Sequence, residues 1–243
     1  MPHFQNQLLS MFAPADFERV RPHLAVTNLK LGTVLAEPKQ TIERVYFPHG
    51  GIISFVVPLS DGPAIESGMV GRDGVAGAGE VLDGKLAINR VMVQAAGTAS
   101  VINADRLREA ADERPEIRKF LAKYAQFFLA QVQQTAACNA NHQIAERMCR
   151  WLLRMHELVG TELPLTQEFL GQMLGVTRSS VSGIASGLQE RGLIKYRRGY
   201  ITILKVDGLH EAACECYGTV RDQYVEMFGV PPGDKQQSIR VVK

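Results

Sequence analysis

The stretch "GVTRSSVSGIASGLQERG", from Gly175 to Gly192, has the periodicity of a helix, yet one of its faces carries almost no large side chain. Three branched aliphatic residues recur at spacings of three and four and should form a buried face: Val181, Ile184 and Leu188. The opposite face carries only small residues: Ser179, Ser182, Gly183 and Ser186. Such a face packs poorly against protein, but it lets another molecule approach the helix closely.

The residues before this helix predict a second, shorter helix and a tight turn. Thr166 is a suitable N-cap for a helix that contains "EFLGQML", Gly175 supplies the turn, and Thr177 caps the following helix. A helix, a glycine turn and a second helix form the helix-turn-helix pattern. The second helix of that motif enters the major groove of DNA with its N-terminal residues at the base edges. The small face would then allow close approach, and Arg178 could donate two hydrogen bonds to a guanine.

A basic β-hairpin is predicted after the second helix. Two β-prone runs, 193–196 and 200–204, flank Arg197, Arg198 and Gly199, which suits a wing that lies along the phosphate backbone. An ordinary helical hairpin followed by a β-hairpin with a solvated turn is the alternative. The winged interpretation predicts binding of double-stranded DNA through Thr166, Gln167, Thr177, Arg178, Ser179, Ser180, Ser182, Gly183, Arg197 and Arg198.

Composition fits a protein with a large core and a basic second half. The 243 residues are 46% hydrophobic, and no stretch reaches the roughly 18 apolar residues that span a bilayer. The first residues lack the pattern of a secretion signal, so we expect a cytoplasmic protein without a membrane partner. Residues 61–117 hold 6 Lys/Arg against 10 Asp/Glu, whereas residues 142–205 hold 9 against 5. Only the second half is therefore expected to meet a polyanion.

The first half predicts an antiparallel β-structure, which gives an α+β fold class. Short runs rich in Val, Ile and Thr fill residues 24–104 and are separated by turn residues, as in an antiparallel barrel or sandwich. We expect three parts: a strand-rich domain (1–114), a long helix (115–140) and a winged helix-turn-helix domain with a C-terminal helix (141–243). The long helix should begin at Pro115. Its apolar stripe is the expected seam of a homodimer, or else the centre of a monomeric core: Ile117, Leu121, Tyr124 and Phe128.

These segments together resemble the Crp/Fnr family of bacterial transcription regulators over most of the chain. The most specific match is "LTQEFLGQMLGVTRSSVS", supported by "QTAACNANHQIAERMCRWLL" and "AACECYGTVRDQY". The resemblance implies that residues 1–114 form a cyclic-nucleotide-binding-like β-roll sensor domain and that residues 115–140 form a dimerisation helix. It also implies a homodimer on an inverted-repeat operator and a contact with RNA polymerase. The family often places Arg, Glu and Arg on the recognition helix. Arg178 matches the first, whereas Ser179 and Gly183 replace the others, so a different DNA sequence should be read.

The resemblance also marks an effector pocket, but its residues match poorly. The family's pocket uses a Gly-Glu pair and, about ten residues later, an Arg-Ser pair that holds phosphate. Gly79, Glu80 and Arg90 fit this spacing, but Val91 follows Arg90, and another register puts Asn89 in the arginine's place. The sequence therefore disfavours a cyclic nucleotide. An unidentified effector could instead lie between the roll and Gln131, Gln133 and Gln134, or these glutamines could be a polar break in the dimer seam.

The cysteines are expected to be reduced, and no metal or cofactor is expected. Iron–sulfur relatives hold several closely spaced cysteines near the N-terminus, whereas the first cysteine here is Cys138. Cys214 and Cys216 diverge if they lie on a helix, and no zinc-ligand spacing is evident. The roles of these residues and of Cys149 stay open, a thiol switch included. The sequence shows no catalytic residues, and we expect that the protein is not an enzyme. The alternative function is a ligand or redox sensor that acts through protein contacts with degenerate DNA readout.

Overall fold

The structure is a computed structural model that describes residues 2–60, 64–82, 86–197 and 199–233, apart from the side chain of Glu80. Two short helices lie near the start of the chain: α1 (Gln7–Ser10) and α2 (Pro14–Val20). A short 3₁₀ turn precedes α1, and another follows α2. Asn6 caps α1 by accepting from the amide of Leu9, and its own amide donates to the carbonyls of Pro48 and Gly74. This buried asparagine ties the N-terminal helices to the sheet that follows.

The strand-rich region folds as an antiparallel β-roll of two sheets. Strands β1, β7 and β3 form one sheet in that order, and β2, β6, β4 and β5 form the other. A short helix, α3 (Ala78–Leu82), lies between β5 and β6. The predicted α+β class with an N-terminal antiparallel roll is confirmed. The strands are β1 (Ala25–Leu29), β2 (Val34–Ala36), β3 (Arg44–Pro48), β4 (Ile52–Val57), β5 (Ile65–Val70), β6 (Arg90–Ala95) and β7 (Gly97–Asn103).

Two helices carry the chain away from the roll. Asn103 caps α4 (Ala104–Glu113) by accepting from the amides of Asp105 and Arg106. The long helix α5 (Pro115–Asn141) then begins with proline in its first turn, where the absent N–H removes no helical hydrogen bond. One face of α5 is buried along the whole helix by the roll and by the C-terminal segment.

The C-terminal half holds the predicted helix-turn-helix and wing. After α6 (Ile144–Val159), strand β8 (Glu162–Pro164) joins the hairpin of β9 (Ile194–Arg197) and β10 (Tyr200–Ile203) in the order β8-β10-β9. The last helix returns to the N-terminal half, where the hydroxyl of Tyr224 donates to the carbonyl of Asp73 at 2.9 Å. The remaining helices are α7 (Gln167–Leu174), α8 (Arg178–Glu190), α9 (Val206–Ala212) and α10 (Cys216–Phe228).

The helix-turn-helix segment docks on the roll through a shared hydrophobic core. Ile52 and Met69 of the roll belong to the same buried cluster as Trp151 of α6 and Met173 of α7. At this junction the amide of Gln94 donates to the sulfur of Met173 at 2.9 Å. The two halves are therefore packed against each other rather than joined only by α5. Among the described helices, none combines the length and the apolar character that crossing a bilayer requires.

Candidate nucleic-acid interface

Helix-capping threonines and two glycines determine the geometry of α7, α8 and the turn between them. The hydroxyl of Thr166 accepts from the amide of Phe169 at 3.1 Å, and that of Thr177 accepts from the amide of Ser180 at 3.3 Å. Gly175 has φ 65°, in the left-handed region that favours glycine. Gly171 lies so close to the turn that a β-carbon there would be 2.8 Å from the carbonyl oxygen of Val176. The expected caps and turn are all present, which fixes how α8 projects from the domain.

Helix α8 presents a small, solvent-facing surface. Val181, Ala185 and Leu188 are buried against the domain core. Ile184, which the periodicity assigns to the core, is only half-buried, and the smaller Ala185 takes the central position. On the outer side Ser182 is half-buried and the other small residues are exposed: Ser179, Gly183 and Ser186. Apart from its chain neighbours and the adjacent backbone of α8, no atom of the described structure lies within 4 Å of a β-carbon built on Gly183, so this side of α8 is open.

A chain of side-chain hydrogen bonds runs along the N-terminal end of α8. The guanidinium Nε of Arg178 donates to the amide oxygen of Gln167 at 3.3 Å, and the amide nitrogen of Gln167 donates to Ser182 at 3.4 Å. The Oγ atoms of Ser179 and Ser180 lie 2.9 and 3.0 Å from that of Thr177. Together with Gly183 and Ser186, several of these side chains line a shallow groove at the surface. Arg178 is exposed and stands at the edge of this groove.

The wing lies beside α8. The carbonyl oxygen of the Gln189 side chain accepts from the amide of Tyr196 at 2.8 Å and so joins β9 to the end of α8. Arg197 is exposed at the end of β9, and Gly199 adopts φ 86° in the turn. Arg198 lies outside the described residues. Tyr200, 58% exposed, adds an aromatic side chain next to the turn that the sequence reasoning did not single out. An aromatic residue directly after a basic turn is the signal that could have indicated it.

Comparison with known proteins identifies this domain. A family model described as the Crp-like helix-turn-helix domain matches residues 146–212, which contain α7, α8 and the wing. The helix-turn-helix and wing of this chain are therefore similar to that domain family. The sequence has no significant match among curated proteins. The Crp-like domain supports a role in DNA-binding transcription regulation.

The fold of most of the chain is shared with Crp/Fnr regulators of known structure. FixK2 from Bradyrhizobium japonicum has a TM-score of 0.67 at 18% identity, covering 79% of this chain and 98% of its own. The c-di-GMP responsive global regulator CLP from Xanthomonas campestris has 0.64 at 17%, covering 79% and 100%. TTHA1359, a CRP/FNR family regulator from Thermus thermophilus, has 0.63 at 22%, covering 78% and 98%. The resemblance to the Crp/Fnr family drawn from the sequence is confirmed.

The residues expected to form an effector pocket lie in different surroundings. Arg90 forms an ion pair with Glu37 at 2.9 Å at the start of β6. Val91 lines a small cleft inside the roll with Tyr46 and Phe55, and Arg90 is not among the residues that line it. Gly79 is exposed on α3, and the side chain of Glu80 lies outside the described residues, whereas Asn89 is half-buried just before β6. Val91, in the wall of this cleft, has no hydroxyl that could donate a hydrogen bond to a phosphate.

The three glutamines proposed to contact an effector, Gln131, Gln133 and Gln134, lie in three different environments. The side-chain oxygen of Gln131 accepts from the amide of Met69 at 3.1 Å inside the protein. The amide of Gln134 donates to the sulfur of Cys216 at 3.0 Å, and Gln133 is exposed. They therefore do not share one effector pocket. Gln131 instead holds α5 against β5 of the roll.

The stripe expected to form the dimer seam faces inward. Ile117, Leu121 and Tyr124 are 0–3% exposed in the core of their own chain. Phe128 packs against Phe55 of the roll, with ring centroids 4.7 Å apart and ring planes tilted by 54°. The expectation that Ile117, Leu121 and Tyr124 meet a second subunit therefore has to be corrected, whereas for the half-buried Phe128 it stays a prediction. The helix is apolar on more than one side, and spacing alone does not tell which side meets the roll. A second stripe is exposed: Ala122, Gln126, Leu129, Gln133, Ala136 and Ala140.

A buried carboxyl group lies where the roll, α5 and α6 meet. Glu66 of β5 is 2% exposed, and burial raises its pKa to about 8, although the nearby positive charge of Arg150 opposes the shift. The hydroxyl of Ser54, on the neighbouring strand, is itself buried and donates to Gln94 at 2.5 Å. Glu66 is therefore held mainly as the neutral acid at pH 7.

The structure also brings together side chains that the sequence analysis kept apart. Cys138 on α5 and His142, the C-cap of α5, meet Cys214 and Cys216, and one ligand atom of each lies within 4.8 Å of all the others. The expected absence of a metal site is therefore not confirmed. Cys214 and Cys216 do not diverge on one helix, because Cys214 precedes α10 and Cys216 begins it. Cys149 is buried separately in α6.

Proposed function

We propose that the protein is a homodimeric, sequence-specific DNA-binding transcription regulator that binds an inverted-repeat operator. The observation that carries the proposal is the open, small-residue face of α8 between exposed Arg178 and the wing. A recognition helix needs such a surface, because its backbone must come close to the base edges. The contact with RNA polymerase that the family resemblance implies belongs to the same proposal.

The two groups of basic residues are assigned different tasks on DNA. Arg178 stands in the first turn of α8, where a guanidinium can bond to both acceptors of a guanine. Its hydrogen bond to Gln167 restrains the side chain at the groove edge before DNA is present. Arg197 stands on the wing beside α8. We assign phosphate contacts to Arg197 and, from the sequence, to Arg198; such contacts position a protein without reading sequence.

Substitution of these arginines tests the proposal. Arg178→Ala should cost about 1–3 kcal/mol on an operator selected from random duplexes and relax the preference at one base position per half-site. The double variant Arg197→Ala/Arg198→Ala should weaken binding to operator and scrambled DNA about equally and flatten the dependence of log affinity on log salt. Loss of affinity in both variants without a change of sequence preference would show that Arg178 does not read bases.

The selection experiment also separates the alternative function. If no consensus emerges from the random duplexes, the protein is better described as a ligand or redox sensor that acts through protein contacts. Enrichment of an inverted repeat supports the regulator. The spacing between its half-sites would report the distance between the two α8 helices of a dimer.

The proposed dimer seam is the exposed stripe of α5. Its residues recur at alternating spacings of four and three, from Ala122 to Ala140, which is the heptad pattern of two helices packed side by side. Alanine at several of these positions permits close approach, and Leu129, 55% exposed, supplies the largest apolar side chain. Of the three glutamines that could form a polar break in the seam, only Gln133 lies on this stripe, and Gln126 is a further polar residue on it.

The effector proposal is that cyclic AMP and cyclic GMP bind poorly to the roll. Arg90 is engaged by Glu37, and Val91 offers no hydroxyl to a phosphate. Calorimetric titration with each nucleotide should show no saturable heat at micromolar concentration. A tight, saturable response that disappears in Arg90→Ala would contradict this proposal and restore Arg90 as the phosphate ligand.

A further inference from the structure

Four side chains with metal-binding atoms converge where α5 ends and α10 begins. Cys138 and His142 are four residues apart on the last turn of α5 and its cap, so they project from the same side of the helix. Cys214 and Cys216 lie on either side of Glu215 in the connection from α9 to α10. Cys138, Cys214 and Cys216 are buried, and the side chain of His142 is 15% exposed.

The four ligand atoms lie within 4.8 Å of one another, and two of the distances between them are close to the edges of a tetrahedral coordination shell. The sulfurs of Cys138 and Cys214 are 3.5 Å apart, and the sulfur of Cys216 is 3.5 Å from Nδ1 of His142. Zinc bonds of about 2.3 Å to sulfur and about 2.0–2.1 Å to nitrogen imply ligand-to-ligand edges of about 3.6–3.8 Å. Binding an ion would therefore require the ligands to move by only a few tenths of an ångström at these two edges.

We propose that Cys138, Cys214, Cys216 and Nδ1 of His142 form a tetrahedral site for a zinc ion. Three thiolates and an imidazole are a ligand set that selects a soft or borderline divalent ion over magnesium or calcium. Because the protein supplies all four ligands, the site leaves no position open for a substrate, which is the mark of a structural rather than a catalytic zinc.

The surroundings supply the outer contacts that such a site needs. Nε2 of His142 lies 3.1 Å from a carboxylate oxygen of Glu215, so the ring can donate there while Nδ1 faces the ion. The amide of Gln134 donates to the sulfur of Cys216 at 3.0 Å. These contacts fix the orientation of the histidine ring and place a hydrogen-bond donor at the sulfur of Cys216.

The ion would fasten the long helix to the C-terminal helix. α5 ends at Asn141, and α6, which leads into the helix-turn-helix, starts at Ile144. The site thus sits at the point where the chain passes from the long helix into the DNA-binding domain. Metal binding there should stabilise the packing of α10 against α5, independently of any DNA contact.

Metal analysis of the full chain tests the proposal. Protein purified under reducing conditions and dialysed against zinc should hold one zinc ion per chain. Cys214→Ser should lose it, whereas Cys149→Ser is the matched control, since Cys149 is also buried but lies outside the cluster. Equal zinc content in the two variants, or no zinc in the wild type, would overturn the proposal.

Cobalt substitution of the wild type keeps the test valid if Cys214→Ser folds poorly. After the metal is removed by a chelator, titration with Co²⁺ should give thiolate charge-transfer and tetrahedral d–d bands that saturate at one equivalent, and zinc should displace them. An octahedral spectrum without charge transfer would overturn the proposal. So would a disulfide between Cys138 and Cys214 in the reduced preparation, found by mass spectrometry of alkylated peptides, because it would consume two of the ligands.

Discussion

Replacing Glu66 by glutamine should stabilise the protein, and the gain should depend on pH. Glutamine has nearly the shape of the neutral acid but cannot ionise. In the unfolded chain Glu66 loses its proton above pH 4.5, whereas in the folded protein burial raises its pKa to about 8. Between these values the folded state binds one proton more than the unfolded state, so the stability of the wild type falls as pH rises.

The size of the effect follows from the two pKa values. Each pH unit between about 4.5 and 8 costs the wild type about 1.4 kcal/mol relative to Glu66→Gln, and the difference becomes constant above pH 8. At pH 7 the accumulated difference is on the order of 3 kcal/mol. Because Glu66 is fully buried, solvent screening does not reduce this value as it would at the surface.

Urea unfolding followed by tryptophan fluorescence measures this difference. Trp151 is the single tryptophan, is 2% exposed and lies in the core shared by both halves, so its emission reports the loss of that core. Glu226→Gln, at an exposed position of α10, is the control and should show no comparable pH-dependent gain. A difference between wild type and Glu66→Gln that is constant from pH 5 to pH 8 would refute the assignment of a neutral Glu66.

Other substitutions probe the seam, the recognition helix and the turn. Leu129→Glu should shift the protein from dimer to monomer in sedimentation velocity, whereas Lys123→Glu, off the exposed stripe, should not; a dimer that survives Leu129→Glu argues for another seam. Gly183→Ala and Gly187→Ala should each raise the free energy of unfolding by about 0.5–1 kcal/mol, because both positions are open and alanine favours helix. Only Gly183→Ala should also weaken operator binding in fluorescence anisotropy, and equal losses would mean that Gly183 does not face DNA. Gly171→Ala should lower the melting temperature, with a cost of about 1–3 kcal/mol, because its β-carbon would collide with the carbonyl of Val176; an unchanged melting temperature would show that the turn can relax.

The helix-turn-helix could be predicted from sequence because its determinants are local. Thr166 and Thr177 cap helices within three residues of themselves, and Gly175 sets the turn by its own backbone conformation. The side of α5 that meets the roll could not be predicted in the same way. Leu121 and Leu129 are both leucines on one helix, and only the packing of distant strands buries the first and exposes the second.

The cysteine and histidine cluster was missed for a related reason. Cys138 and Cys214 are 76 positions apart, so their approach depends on how α10 folds back on α5. The side chains of Cys214 and Cys216 were expected to diverge only because both residues were assumed to lie on one continuous helix. The placement of Ala185 rather than Ile184 at the centre of the α8 contact likewise depends on the rotation of α8 against α7, to which a periodicity of three and four is insensitive.

The core that the roll shares with the helix-turn-helix domain opposes any movement of that domain away from the roll. Moving α7 away from β5 would expose Ile52 and Met69 to water and break the contact of Gln94 with Met173. The docked arrangement is therefore a discrete state rather than one point in a continuum of hinge angles. A signal that reorients the recognition helices must bind the undocked arrangement more tightly than the docked one, by at least the free energy needed to open this core.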